Sequence, residues 1–167
     1  MPDFYSELRC EKVDFMKFRE ALGEASALAL DIPGGSEVVA SINTVTNMRA
    51  NDIAEAQANV AYFVAYEGVD DAVGLMVMSK ASGIWTIEDL FSGVLRRGLG
   101  TLLARYGMAH AIRDYGSTAN CEIRLISLDA ASCAFWKKMG FVMLPGIASG
   151  HGGMVYRLSN SRPVTPV

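Results

Sequence analysis

The chain has few of the residues from which metal centres and disulfide frameworks are built. Its 167 residues include three cysteines, Cys10, Cys121 and Cys133, and two histidines, His110 and His151. No two cysteines form a CxxC pair, and no spacing of cysteine and histidine is typical of a zinc site. An odd number of cysteines also disfavours a disulfide framework. We therefore expect no bound metal and a reducing compartment.

Long apolar runs and an excess of basic charge are lacking as well. No stretch approaches the roughly 20 apolar residues that a membrane helix needs. The first residues, MPDFYSELRCEK, carry charges where a signal peptide is apolar. Lysine and arginine number 15 against 18 aspartate and glutamate, which gives a net charge of −3. Nucleic-acid binding needs a broad basic face, so we expect no nucleic acid as the main partner. The lack of a membrane helix and of a signal peptide leads us to expect a cytoplasmic protein that does not bind a membrane.

The composition that remains is that of a globular protein. Hydrophobic residues make up 51% of the chain and charged residues 20%, which excludes an intrinsically disordered sequence. The length is typical of one domain. We place that domain at residues 1–160 and expect a disordered tail at 161–167, because the tail is polar and contains two prolines.

The order of predicted elements indicates the fold class. Apolar residues at helical spacing predict a helix over Glu11–Leu30, ended by DIPGG, and one or two further helices over 36–58. Three strands joined by turns follow, and then helices and strands alternate, with Gly116 predicted to end a helix. This order predicts an α/β (α+β) domain around one mixed sheet. The predicted strands are 60–67, 73–79, 84–91, 121–127, 141–144 and 153–159, and the later helices are 98–115 and 129–139.

A pair of glycines marks the start of the helix predicted at 98–115. Gly98 and Gly100 follow a strand, and the first N–H groups of a helix lack helical partners and attract anions. Glycines at that position let the backbone approach a ligand closely. A P-loop is excluded because Thr101, not lysine, follows the second glycine, and a dinucleotide fingerprint is excluded because Leu103 stands where Gly or Ala is needed. A plain strand-to-helix turn is the competing interpretation.

The segment VLRRGLGTLL (94–103) resembles the pyrophosphate loop of the GNAT superfamily of acyl-CoA-dependent N-acetyltransferases, R/Q-x-x-G-x-G/A. About forty residues later, LDAASCAFWKKMGFVMLP (128–145) is similar to the family's N-x-x-A-x-x-x-Y-x-x-x-G-F segment. The resemblance covers residues 60–160 and implies a single GNAT-like domain with a mixed, mostly antiparallel central sheet flanked by helices. It also implies a first strand near Tyr5–Arg9.

The chain departs from both motifs. Leu95 occupies the Arg/Gln position, with Arg96 and Arg97 after it, and Asp129 replaces the asparagine. Trp136 occupies the position of the family's tyrosine, which often protonates the departing thiolate, and an indole N–H cannot supply that proton at neutral pH.

The resemblance implies acetyl-CoA as the co-substrate. Backbone groups of the strand before the loop are expected to hold the pantetheine arm and the developing oxyanion. The residues implied to bind the cofactor are Leu90, Phe91, Ser92, Arg96, Arg97, Gly98, Leu99, Gly100, Thr101, Asp129 and Trp136.

Acetylation of an amine also needs a base to remove a proton. Glu88 and Asp89 are the nearest carboxylates, and as neighbours on one strand their side chains are predicted to point to opposite faces. Glu67 and Glu122 are the other candidates. For each carboxylate, a solvated or salt-bridged structural role competes with the catalytic one.

Several side chains are candidates to replace the missing tyrosine or to contact a substrate. For the acid these are Ser132, Cys133, Tyr115 and Tyr156. His110 is predicted to be a structural helix residue. His151 is predicted to lie in a loop between the last two strands, where solvent exposure is favoured over contact with an acceptor. Lys137 and Lys138 are candidate phosphate partners or surface charges.

The function expected from the resemblance is transfer of an acetyl group from acetyl-CoA to an amine of a small molecule or protein. A non-catalytic acyl-CoA-binding sensor is the alternative, because Leu95 and Trp136 depart from the motifs. A toxin that acetylates aminoacyl-tRNA ranks lower because the chain is acidic. A homodimer is also predicted, since the last strands of this family commonly pair between subunits.

Overall fold

The structure is a computed structural model that describes residues 8–50, 59–94, 98–116, 120–146 and 152–159. Within them the chain forms seven strands and four helices. The predicted tail at 161–167 lies outside the described residues. The strands are β1 (Leu8–Val13), β2 (Val60–Glu67), β3 (Asp71–Ala81), β4 (Ile84–Ser92), β5 (Asn120–Ser127), β6 (Val142–Met143) and β7 (Gly152–Ser159), and the helices are α1 (Phe15–Ala29), α2 (Gly35–Ala50), α3 (Leu99–Tyr115) and α4 (Ala130–Lys138).

All seven strands belong to one sheet in the order β1-β2-β3-β4-β5-β7-β6. Every neighbouring pair is antiparallel except β4 and β5, which are parallel. Parallel strands need a crossover connection, and α3 lies in the chain between these two. The predicted mixed, mostly antiparallel sheet flanked by helices is therefore confirmed.

The start of the chain differs from the prediction. Residues 11–13 continue β1 and pair with β2, so the helix predicted from Glu11 begins at Phe15 instead. Asp14 is the N-cap, and its carboxylate accepts a hydrogen bond from the Lys17 N–H at 2.8 Å. The apolar spacing that suggested a helix at Val13 is equally compatible with a strand end, and the cap decides where the helix begins.

Two apolar layers cover the two faces of the sheet. One face packs against α1 and α2, with Phe18, Ile42 and Leu75 at its centre. The other packs against α3 and α4, with Leu103 and Phe141 among its fully buried side chains. Because consecutive residues of a strand alternate between faces, a long strand buried on both sides reads as continuously apolar, as β2 and β3 do.

Helix ends follow the glycines. Gly116 has a φ of +64° and ends α3, as predicted. In the predicted helical region 36–58 the structure has α2, which begins one residue earlier, at Gly35, and ends at Ala50; residues 51–58 lie outside the described part of the chain.

Gly93 closes the end of the β3–β4 ladder and has no room for a side chain. Its N–H donates to the Val73 carbonyl oxygen at 2.7 Å, and a Cβ at Gly93 lies 2.6 Å from that same oxygen. We expect Gly93→Ala to lower the free energy of unfolding by about 1–3 kcal/mol, since a backbone atom must move. Chemical denaturation measures the loss. Gly23→Ala on α1, where a Cβ meets nothing within 4 Å, is the control and should be stabilising; equal values for the two variants contradict the prediction.

Candidate active site

The sheet opens between its two parallel strands. β4 and β5 pair only at three positions, of which Ile87 with Leu125 is the last. Beyond that pair β4 runs on to Ser92 and β5 to Ser127, and within these described segments the two strands are no longer partners. The opening exposes a backbone edge in the middle of the sheet, where a ligand can form strand-like hydrogen bonds.

A β-bulge in β4 lies at the start of this opening. Asp89 pairs with Val77 and Ile87 with Met78, so Glu88 is an extra residue without a partner across the ladder. The bulge shifts the alternation of β4 by one residue. Ile87 therefore faces α3, whereas Asp89 faces the same side as Val77, which packs beneath α1 and α2.

The bulge also corrects the prediction for the two carboxylates. Glu88 accepts a hydrogen bond from Ser79 Oγ of β3, and Asp89 Oδ2 accepts one from Ser41 Oγ of α2 at 2.8 Å. Both side chains lie on the α1–α2 side of the sheet, so the prediction that they face opposite ways is wrong. The rule of alternation fails here because it applies only to a regular ladder.

The backbone of β4 beyond the bulge has groups directed into the opening. An antiparallel strand directs the N–H and C=O of alternate residues to opposite neighbours. Because Gly93 bonds to β3, Phe91 and Asp89 face β3 as well, and Leu90 and Ser92 face the opening. The Phe91 side chain is buried in the core, and the Ser92 hydroxyl donates to the Val94 carbonyl oxygen at 3.0 Å.

The N-terminus of α3 lies beside this backbone edge. Gly98, its N-cap residue, has a φ of +76° and no side chain to cap the helix, and the first α-helical bond runs from the Leu102 N–H to the Gly98 carbonyl oxygen at 2.9 Å. The N–H groups of Leu99, Gly100 and Thr101 thus precede the helical ladder, and the helix dipole adds a partial positive charge there. The Leu99 side chain is buried in the core, so Leu99 contributes only its backbone.

The two sequence motifs meet at Gly100. A Cβ at this position lies 3.7 Å from the Phe135 ring of α4 and 3.8 Å from Leu90 Cδ2 of β4. The helix N-terminus, the backbone of β4 beyond the bulge and the first turns of α4 therefore surround one place. The carboxylates lie on the opposite side of the sheet from α3, so the helix N-terminus and the carboxylates border the two faces of the opening.

The Asp89 carboxyl has the electrostatic properties expected of a base. Its side chain is half-buried, and burial raises its pKa above the ordinary value. The charge of Glu88 raises the pKa further, whereas the hydrogen bond from Ser41 lowers it. A raised pKa makes a carboxylate a better proton acceptor near neutral pH.

The other candidate bases lie away from the opening. Glu122, near the start of β5, accepts hydrogen bonds from Arg124 and Arg157. Both bonds hold the pKa of Glu122 below its ordinary value, and the bond from Arg124 has the larger effect. Glu67 ends β2, which β3 separates from β4.

The candidate acids have structural contacts. The Tyr115 hydroxyl accepts from the backbone N–H of Trp85, near the start of β4, and donates to the carbonyl oxygen of Glu122 in β5. Cys133 is buried, with its thiol 3.6 Å from Met143 Sδ. The ring of Tyr156 packs against Phe141. The Ser132 N–H donates to the Asp129 carboxylate at 2.7 Å, which makes Asp129 the N-cap of α4, as predicted.

The remaining candidates are placed as follows. His110 packs edge-on against Phe63 and Trp85, as a structural helix residue does, and burial lowers its pKa. Lys137 and Lys138 are exposed in the last turn of α4. Leu95, Arg96, Arg97 and His151 lie outside the described residues. The described residues contain no cluster of three or more metal-ligand side chains, and no described helix is long and apolar enough to cross a membrane.

Trp136 is a core residue. Its side chain is 7% exposed and packs against Phe135 and Phe141, with ring centroids 4.8 and 5.2 Å away. We expect Trp136→Ala to lower the free energy of unfolding by about 3–5 kcal/mol because it leaves a cavity. Trp136→Phe, which keeps an aromatic ring in the core, should lower the free energy of unfolding by less. Denaturant titration of both variants measures the difference, and an Ala variant as stable as the wild type shows that the indole is not part of the core.

Comparison with solved structures identifies the architecture. The PaiA N-acetyltransferase of Thermoplasma acidophilum, solved in complex with coenzyme A, superposes with a TM-score of 0.60 over 91% of this chain and 99% of that one, at 14% sequence identity. A GNAT-family acetyltransferase from Streptococcus pneumoniae superposes with a TM-score of 0.60 over 92% of this chain and 100% of that one, also at 14% sequence identity. The chain has the GNAT fold. The same fold occurs in the KacTA–DNA complex, which superposes with a TM-score of 0.57 over 90% of this chain and 93% of that one, at 15% sequence identity. No protein-family model matches the sequence, and no curated protein is significantly similar to it.

Sequence reasoning missed three residues of this GNAT-fold site. Ser41 and Ser79 bond to the carboxylates, and Phe135 packs against Gly100. Phe135 could have been found, because it belongs to the second motif. The two serines lie 48 and 9 residues from their partners along the chain, and no local pattern indicates such contacts.

Proposed function

We propose that this protein is an N-acetyltransferase that uses acetyl-CoA to acetylate an amine. The observation that carries the proposal is the opening between β4 and β5, with the uncapped N-terminus of α3 on one side and Asp89 on the other. The GNAT fold and the two motifs support it. The bound co-substrate supplies the activated acetyl group.

The residues present fit coenzyme A. The N–H groups of Leu99, Gly100 and Thr101 precede the helical ladder and are suited to a pyrophosphate. Gly100 has no side chain, which allows a ligand to approach its backbone closely. The carbonyl and N–H of Ser92 and Leu90 are directed into the opening and are suited to the amides of pantetheine.

The chemistry needs a base and an oxyanion donor. Asp89 removes a proton from the acceptor ammonium, directly or through water. The Leu90 N–H, which faces the opening, donates to the acyl oxygen as negative charge develops on it. The neutral amine attacks the thioester carbonyl, and the C–S bond breaks as the new C–N bond is completed. Free thiols have a pKa near 8.5, so the thiolate departs without a tyrosine in the position of Trp136, assisted by the dipole of α3, and the second amine proton passes to the thiolate or to water.

A non-catalytic acyl-CoA sensor is the second candidate. It is favoured by one observation, that Trp136 stands at the tyrosine position and is packed into the core. In that case coenzyme A binds at the same place and no acetyl group is transferred. A nucleic acid is the less favoured acceptor because the chain is acidic. That the protein is a homodimer in the cytoplasm stays a prediction.

The experiment that separates these functions is a transfer assay. Purified protein is incubated with acetyl-CoA and a panel of small amines, lysine peptides and aminoacyl-tRNA, and free thiol and acetylated product are measured. The enzyme proposal expects amine-dependent thiol release with a product heavier by one acetyl group. Tight coenzyme A binding without release for any acceptor supports the sensor, and no binding at all contradicts both.

A further inference from the structure

One hydroxyl of α2 behaves differently from its neighbours. Thr44 and Thr46 donate to carbonyl oxygens one turn earlier in the same helix, those of Ala40 and Ile42. This is the usual local bond of a hydroxyl within a helix. Ser41 instead donates across to Asp89 of β4, at 2.8 Å, over a separation of 48 residues.

This bond fixes the carboxylate of Asp89 at one oxygen. Because Oδ2 accepts from Ser41, the bond sets the direction in which the other oxygen, Oδ1, points. A hydroxyl donor also stabilises the ionised form of a carboxylate more than the neutral form. That is important here because Glu88 lies on the same side of the sheet.

We propose that Ser41 is a positioning residue of the acetyltransferase site, which holds the Asp89 carboxylate in the orientation that proton removal requires. This inference rests on the function proposed above. Through Ser41, α2 would then orient the catalytic base in addition to packing against the sheet.

Three elements contribute residues next to Asp89: β3, α2 and β4 itself. β3 presents Val77 directly across the ladder, α2 presents Ser41, and β4 itself presents Glu88. Burial is the main cause of the raised pKa of Asp89, the hydrogen bond from Ser41 opposes the rise, and the charge of Glu88 adds to it. Loss of the Ser41 hydroxyl should therefore raise the pKa of Asp89.

The test compares Ser41→Ala with Ser41→Thr and with Thr44→Ala as the matched control. We expect Ser41→Ala to lower kcat by about tenfold, with little change in the KM for acetyl-CoA, and to move the acidic limb of the pH–rate profile to higher pH. Ser41→Thr, which keeps a hydroxyl, should restore most of the rate. Thr44→Ala removes a hydroxyl of the same helix that does not reach Asp89, and should match the wild type.

A second readout does not depend on turnover. The side-chain carboxyl of Asp89 is titrated by carbon-detected NMR in the wild type and in Ser41→Ala, and we expect a higher pKa in the variant. An unchanged pKa, or a kcat and pH profile like those of the wild type, overturns the proposal while leaving the acetyltransferase function intact. A wild type that binds coenzyme A but acetylates no amine overturns the proposed function, and with it any catalytic role for Ser41.

Discussion

Asp89→Asn is expected to lower kcat by about 10²–10⁴-fold, because it replaces the proposed base with an amide that cannot accept the proton. The substitution is nearly isosteric and keeps an acceptor oxygen for the Ser41 hydroxyl. The fold and the affinity for coenzyme A should therefore be unchanged. Steady-state kinetics at saturating acetyl-CoA measures the effect, with calorimetry of coenzyme A binding beside it.

Glu88→Gln is the comparison that separates the two carboxylates. Glu88 is the exposed extra residue of the bulge and bonds to Ser79, whereas Asp89 is half-buried with a raised pKa. We expect Glu88→Gln to lose much less activity than Asp89→Asn. A larger loss at Glu88 shows that the bulge residue is the base and that Asp89 has another role.

Gly100→Glu is expected to weaken coenzyme A binding by well over tenfold. The new side chain places a carboxylate beside the N–H groups of Leu99 and Thr101, where it competes with and repels a pyrophosphate. Isothermal titration calorimetry with coenzyme A measures the loss.

Gly100→Ala is the matched control for that variant. A Cβ at Gly100 is 3.7 Å from Phe135 and 3.8 Å from Leu90, which is ordinary van der Waals contact. The alanine variant should therefore fold normally and bind coenzyme A far more tightly than the glutamate variant. Equal affinities for the wild type and Gly100→Glu contradict the assignment of the α3 N-terminus as the pyrophosphate site.

Much of the architecture could be predicted from local sequence signals. The continuous apolar run at 60–66 and the Gly116 stop carry enough information to place β2 and the end of α3, and the structure confirms both. Asp129 could be recognised as an N-cap because the capping bond is formed within three residues. These features depend on neighbours in the chain, which a sequence displays directly.

The geometry of the base could not be predicted in the same way. At Glu88 the register between β4 and β3 shifts by one residue, and just before it the pairing of β4 with β5 ends. Neither condition is visible in the letters IEDLF, where Glu88 and Asp89 are simply adjacent. A single extra residue moves Asp89 to the face of α2, and only there can Ser41 reach it.

The first strand shows a different limit of sequence patterns. Residues 11–13 fit helical spacing when read with the apolar positions that follow, yet they pair with 62–64 of β2. The pairing partner lies about fifty residues away, so tertiary contact overrides the local pattern.

The most direct test of the proposed site is a titration of isotope-labelled protein with coenzyme A, followed through the backbone amide resonances. The proposal predicts saturable binding with the largest shifts at Leu90, Ser92, Leu99, Gly100 and Thr101. Shifts confined to the outer groove between α1 and α2, which is lined by Arg19, Ser26 and Asn43 among others, or no binding at millimolar coenzyme A, would contradict it.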